Sequence, residues 1–273
     1  MKNGPDRLRF FEDNWPTDKG AWFPGEKVHY REKQLFEDFS DRSWMTLLMY
    51  GIKGEMPSLN EARMLELIWT ICASFPDPRI WNNRVGALAG SARTTAPLGV
   101  AAATAVSEAS IYGRKPDIMG ASFLHEALKL ADDSEALEAF VIGYLKRYRS
   151  IPGFGRPLIS VDERIEPLLT AADNLGLGQG ECLQLVSTIE QILQRNRYRL
   201  SANISIYCAA IFADIGYSPR ENVYIALLSF SAGILPCYID ALEKPEGVLF
   251  PLDCGRIRYS GATKRRYVDN EPA

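Results

Sequence analysis

Between Gly86 and Gly113 the chain reads GALAGSARTTAPLGVAAATAVSEASIYG, a long run of Gly, Ala, Ser and Thr in which Arg93 and Glu108 are the only charges. Small side chains bring backbones together, so such a segment is expected to be helix packed closely on another helix, inside the fold or across a dimer interface. A solvated linker would carry more charge. The rest of the chain agrees with a helical fold. SLNEARMLELIWTICASF (Ser58–Phe75) opens with a Ser-x-x-Glu capping box, Ser58 and Glu61, and sets Met64, Leu67, Ile68 and Ile71 on one face.

Six further runs repeat the 3.6-residue period: ASFLHEALKLADD, SEALEAFVIGYLKRYRS, RIEPLLTAADNLGLG, ECLQLVSTIEQILQRN, LSANISIYCAAIFADIGY and NVYIALLSFSAGILPCYIDALEK. YGRKPDIMG reads as a break before the first of them. No stretch sustains two-residue alternation between turn signals. The expected class is all-α, with about ten helices, an irregular or extended arm over residues 1–35 and a charged tail after Cys254. No internal repeat is evident.

Charge excludes some functions. Lysine and arginine number 31 against 34 acidic residues, so no basic footprint for nucleic acid exists. NVYIALLSFSAGILPCYIDAL is the nearest approach to a membrane span. It carries Asn222, Ser229, Ser231 and Asp240, and reads as a core helix. The first twenty residues are polar and of mixed charge, unlike a signal peptide. Cys72, Cys182, Cys208, Cys237 and Cys254 are widely spaced, an odd number without a CxxC pair, which suggests reduced thiols and a cytoplasmic protein. Two isolated histidines and scattered cysteines offer no metal-ligand spacing, and no P-loop or dinucleotide fingerprint is present.

The order of the short motifs resembles the citrate synthase family. FEDFSDRSWMTLLMYGIKGEMPSLNEARML is similar to that family's early leucine-rich segment, with Gly54, Glu55, Met56, Pro57 and Ser58 at its turn. SARTTAPLGVAAATAVSEAS is similar to its alanine-rich helix. PGFGRP resembles its PGFGHP loop, and SANISIYCAA its NVDF helix. RIRYSG with KRRYV resembles its C-terminal arginine region. The similarity runs from about residue 30 to residue 268.

That resemblance implies a two-domain helical fold: a large domain of residues 36–119 and 207–273, a small one of residues 120–206. It also implies a dimer and a cleft that binds an acyl-CoA thioester and a small carboxylate, with no permanently bound cofactor. Family members make or break a carbon–carbon bond alpha to a CoA thioester, using an aspartate base and two histidine donors, with arginines on the carboxylates. The length of the chain resembles the citryl-CoA lyase branch more than full-length citrate synthases.

Residue by residue the match falters at the chemistry. The histidine of the family's GPLHGGA falls at Met119 (or Ile118), the histidine of PGFGH at Arg156, and the aspartate of NVDF at Ser205. A further histidine falls near Asn83, and the first arginine of the C-terminal motif at Cys254. Pro152, Gly153, Phe154 and Gly155 keep the loop. Arg164, Arg256, Arg258 and either Arg265 or Arg266 match arginines that would bind carboxylates. A positioned acid or base contributes about 10²–10⁴ in rate, so ordinary citrate synthase activity is not expected.

Arg156 can clamp an anion or stabilise an enolate oxygen, but it does not supply a proton. Asp117 and Asp162 are the remaining candidate bases. Tyr207, two residues beyond Ser205, stands where the family often has an aromatic. His125 lies six residues past Met119, which on a helix points it away from the cleft; His29 reaches a site only if the arm folds over it. The expected protein is a divergent carbon–carbon bond enzyme acting on an acyl-CoA. The competing readings are a silent acyl-CoA or di-acid binder, a regulatory or structural subunit partnering an active paralogue, or an unrelated helical interaction protein.

Overall fold

The computed structural model describes residues 4–108, 114–156, 162–226, 229–248 and 254–262. Within them the chain is helical, apart from one small sheet. The arm, expected to be irregular or extended, holds this sheet as its extended part. After helix α1 (Pro5–Phe11), strands β1 (Gly20–Phe23), β2 (Lys27–Tyr30) and β3 (Lys33–Gln34) pair antiparallel in sequence order, with Trp22 opposite Val28 and His29 opposite Gln34. The turns use positive φ at Gly25 and Arg31. β1 is exposed on both faces, so it has no buried face to impose an alternating pattern.

Arg31 ties this arm to the body. Its guanidinium donates to the carbonyls of Gly51 and Ile52 at the end of α3 (Trp44–Lys53), after the short α2 (Leu35–Asp38). α4 (Leu59–Ile71) begins at the capping box read from the sequence: Glu61 N–H donates to Ser58 Oγ, and Ser58 N–H to Glu61 Oε2. Met64 and Ile68 are buried as expected, joined by Ala62 and Leu65, while Leu67 and Ile71 are half-buried.

The small-residue segment is two helices. α5 (Trp81–Ser91) and α6 (Ala96–Val106) are separated at Arg93, which has φ 60°. Its partner is α13 (Ile234–Leu242). A Cβ at Gly86 would lie 2.8 Å from Ile234 O, and one at Gly90 would lie 2.3 Å from Tyr238 O, so the two backbones touch. Tyr238 Oη donates to Thr94 O at 2.6 Å, and Arg93 donates to the carbonyls of Ala241, Leu242 and Lys244, capping α13.

α7 (Arg114–Leu128) starts earlier than the Gly/Pro signal suggested. Pro116 lies in its first turn, where the missing N–H leaves no bond unmade. α8 (Ser134–Tyr148), α9 (Ile165–Asn174), α10 (Glu181–Arg195), α11 (Ile204–Asp214) and α12 (Pro219–Ala226) follow. One continuous apolar core, from Met49 to Ile225, joins α3, α4 and α7–α12; Ala87, Cys237 and Ala241 form a second, smaller one. The boundaries expected at residues 119/120 and 206/207 both fall inside helices, α7 and α11, which pack on each other.

By length and hydropathy alone Pro219–Leu242 is sufficient to cross a membrane. It contributes Asn222, Ile225, Ile234, Cys237, Tyr238 and Ala241 to the interior and holds a 3₁₀ turn at Ser229–Ser231, features of core helices in a folded body.

Candidate functional site

The glycine loop Ile151–Arg156 lies against the start of α11. Gly155 N–H donates to Ser201 O at 2.6 Å, Asn203 N–H to Gly153 O at 2.9 Å, and Asn203 Nδ2 to Gly155 O at 3.0 Å. Both glycines have φ near +93°, and a Cβ on Gly153 would lie 2.5 Å from Ile206 Cβ. Only glycine fits there. Phe154 is buried edge-on to Phe123, pinning the loop to α7, and Pro152 O lies close above Gly120.

Asp162 anchors the charges. Its side chain is fully buried and accepts from Arg164 Nε and Nη2 at 2.8 Å each, and from Ile204 N–H at 3.0 Å. Burial alone would raise this carboxyl; the hydrogen bonds from Arg164 and Ile204 outweigh it and bring the pKa to about 2. A group so acidic at neutral pH is a poor proton acceptor, so Asp162 is set aside as a base. Arg156 donates to Glu163 Oε2 at 2.8 Å and lies 3.7 Å from Asp162. Both arginines expected as clamps are thus already paired, and an incoming acid must compete with Asp162 and Glu163.

Asp117, Ile118 and Met119 sit in the first turns of α7, with Ile118 exposed and Met119 half-buried. Ser205 Oγ donates to Asp117 Oδ1 at 2.8 Å, so two residues proposed from separate motifs meet across the two helices. Ser205 N–H is held by the Asn203 side chain. One turn further along α11 is Cys208, whose Sγ is 3.7 Å from Cys72 Sγ at the end of α4. The thiol pair, Asp117, Asp162 and Arg164 all lie within electrostatic reach of one another.

Other expected site residues have different tasks. Asn83 is fully buried and donates to the carbonyls of Phe75 and Asp77, so it holds the loop before α5 rather than a substrate. Tyr207 is buried on the α10 side of α11, near Ser187 and Glu190, and burial raises its pKa. Two residues along a helix turn a side chain by about 200°, which takes Tyr207 away from Ser205.

His125 bonds Ala121 O on its own helix, and His29 stands edge-on to Phe23 in the arm. Arg256, the last residue of a short 3₁₀ turn (Cys254–Arg256), and Arg258 just beyond it are exposed. Arg265 and Arg266 lie outside the described residues, as does the side chain of Cys254.

Among the described residues no three His, Cys, Asp or Glu side chains are grouped to hold a metal. A groove of about 510 Å³ between α4 and α9, lined by Arg63, Leu67, Glu166 and Thr170 among others, uses none of the site residues. Cys72 went unread as a site residue because nothing local marks the end of a helix as a cleft wall. Cys208 carried a signal: it lies three residues after Ser205, on the same helical face.

No family model matches the chain, and no curated protein matches its sequence. Solved structures do match. Citryl-CoA lyase from Hydrogenobacter thermophilus superimposes with a TM-score of 0.81 at 21% identity, over 93% of this chain and 97% of that one. ATP citrate lyase from Methanothrix soehngenii, in complex with citrate and coenzyme A, gives 0.76 at 18% identity, over 97% of this chain and 45% of that one. Citrate synthase from Thermoplasma acidophilum, bound to carboxymethyl coenzyme A and oxaloacetate, gives 0.64 at 18% identity, over 83% of this chain and 59% of that one. The chain has the all-α fold of citrate synthase and citryl-CoA lyase.

Proposed function

We propose that the protein acts on an acyl-CoA thioester, making or breaking a carbon–carbon bond alpha to the thioester with a carboxylated partner, through a site that departs from ordinary citrate synthase. The observation that carries this is the Asp117–Ser205 pair beside the glycine loop. Where the family pattern has an aspartate this chain has Ser205, and that serine holds a carboxylate presented by the facing helix. Asp117 is assigned as the base: it removes the alpha proton of the thioester in the forward sense and, by microscopic reversibility, returns it to the alpha carbon of the enolate in the reverse. Ser205 orients it. Arg156 and Arg164 receive the partner's carboxylates by exchanging Glu163 and Asp162 for substrate oxygens, which also makes closure of the loop depend on the acid being present.

The fold shared with proteins crystallised with coenzyme A, citrate and oxaloacetate supports these ligand classes. A large and a small domain closing over the cleft, a homodimer and a cytoplasmic location belong to the same reading. A second reading is a silent acyl-CoA or di-acid binder, or the partner of an active paralogue. It is favoured by Met119 and Arg156, which stand where two proton donors are expected.

One experiment separates the two. The protein is incubated in heavy water with a panel of acyl-CoAs, with and without oxaloacetate or 2-oxo acids, and deuterium at the alpha carbon is read by mass spectrometry. Incorporation into one of them establishes the base. Binding without incorporation across the panel gives the silent reading, and absence of both removes the proposal.

A further inference from the structure

We propose that Cys72 and Cys208 form an oxidisable dithiol in the wall of the candidate site, a modification site that closes to a disulfide. Their Sγ atoms are 3.7 Å apart, so they must approach by about 1.7 Å to reach the disulfide length near 2.05 Å. One thiol ends α4 and the other lies within α11, so the movement is a rotation of two side chains, one of them at a helix terminus.

The surroundings are not those of structural cysteines. Cys182, by contrast, is buried with the Asp214 carboxylate beside it, and burial and that anion push its thiol up to about 12, which leaves it inert. Cys72 and Cys208 are both half-buried and lie beside Asp117, Asp162 and Arg164. The hydrogen bond between the two thiols lowers the Cys72 pKa, as the Arg164 cation also does; the same bond and burial push Cys208 up. Cys72 is therefore the attacking sulfur and Cys208 the resolving one.

The oxidant is a hydroperoxide. The Cys72 thiolate attacks the distal oxygen, the O–O bond breaks and alkoxide or hydroxide leaves, giving a sulfenic acid. Cys208 then attacks that sulfur: the S–S bond forms, the S–O bond breaks, and water departs with the Cys208 proton. Two thiols and one hydroperoxide yield one disulfide, one alcohol (or water) and one water. The bond draws the end of α4 toward the α11 turn that carries Ser205, altering its contact with Asp117. That consequence for ligand binding rests on the proposed function; the bond itself does not.

The test treats the full-length protein with equimolar hydrogen peroxide and maps its unreduced peptides by mass spectrometry. A Cys72–Cys208 peptide that dithiothreitol dissolves is expected, absent from the Cys72→Ser variant. In the Cys208→Ser variant Cys72 should be trapped as a sulfenic acid that dimedone labels. Free thiols at both positions, a bond to another cysteine, or sulfenic acid on Cys208 in the Cys72→Ser variant at the same rate would overturn it. Citrate binding, followed by calorimetry, should weaken at least tenfold on oxidation and recover on reduction; unchanged affinity in a fully linked sample sinks the switch. If the reduced protein binds neither citrate nor any acyl-CoA of the panel, the proposed function fails, and the linked peptide still decides the dithiol.

Discussion

Ser205 Oγ donates a 2.8 Å hydrogen bond to Asp117 Oδ1, joining α11 to α7 across 88 residues of sequence. In the proposed reaction the carboxylate expected on one helix is supplied by the other, and the serine left behind orients it. Asp117→Asn should keep the fold and lower alpha-deuterium exchange by about 10²–10⁴, the range for loss of a positioned base. Ser205→Ala should cost roughly ten- to a hundredfold, since it removes a hydrogen bond to a charged carboxylate, worth about 1.5–3 kcal/mol. The double variant Asp117→Ser with Ser205→Asp returns the carboxylate to α11 and should recover part of the exchange that Asp117→Asn loses; exchange undiminished in Asp117→Asn would show that Asp117 is no base.

The Asp162–Arg164 pair sets an acid limit on stability. The folded carboxyl titrates at about 2 against 3.8 for the ordinary group. Because the folded pKa is depressed, the contribution is fully present above about pH 4 and is lost as pH falls from there through 2. The difference corresponds to about 2 kcal/mol. Urea unfolding at pH 7, 4 and 2 should show stability falling mainly between the last two. Asp162→Asn should flatten that interval and weaken the protein at pH 7, where Arg164 would lose its partner.

Asp214 caps a helix from a distance. Its two carboxylate oxygens accept from Cys182 and Leu183 N–H at 2.8 and 3.0 Å, at the start of α10, where Gly180 supplies no side-chain cap. α10 carries seven buried residues, so fraying its first turn loosens the core. Asp214→Ala should cost about 1–2 kcal/mol. Thermal unfolding measures this, and a loss below a few tenths of a kcal/mol would show that water replaces the cap.

Features that depend on near neighbours in sequence were legible. The Ser58–Glu61 box, the close packing of the glycine-bearing α5 and the tight turn of the Pro152–Gly155 loop all follow from spacing and side-chain size. Features set by distant partners were not. Asp162 and Arg164 are two residues apart, yet the burial and Ile204 N–H that make Asp162 an anchor come from α11. Asn83 and Tyr207 took family positions in the sequence and core positions in space. Cys72 and Cys208 lie 136 residues apart, and only the fold brings their sulfurs together. The three-stranded sheet escaped notice because its exposed β1 has no face to bury.

Two glycines in helices make a matched test of packing. Gly143 lies exposed within α8 with open space at its Cβ position, so Gly143→Ala should stabilise the protein by up to about 1 kcal/mol through helix propensity. The same methyl at Gly90 would meet Tyr238 O at 2.3 Å and force α5 from α13. Gly90→Ala should cost about 1–3 kcal/mol, the range for overpacking. Opposite signs in denaturant titrations support direct backbone contact; equal signs refute it.

Opposite that contact, α6 and α13 present apolar side chains to solvent: Leu98 is 66% exposed, and Val106, Leu235 and Ile239 each above 40%. α6 adds the exposed Ala101, Ala102 and Ala105, small side chains that permit close approach of another helix. A surface of this kind fits the proposed dimer, in which a second copy lays the same helices against it. Sedimentation velocity at micromolar concentration should give a mass near twice the 30.5 kDa chain. Leu98→Glu places a charge in the middle of that surface without touching the core, and should shift the population to monomer with its helical circular dichroism intact. A wild-type monomer at these concentrations, or a dimer indifferent to Leu98→Glu, would place the subunit contact elsewhere or remove it.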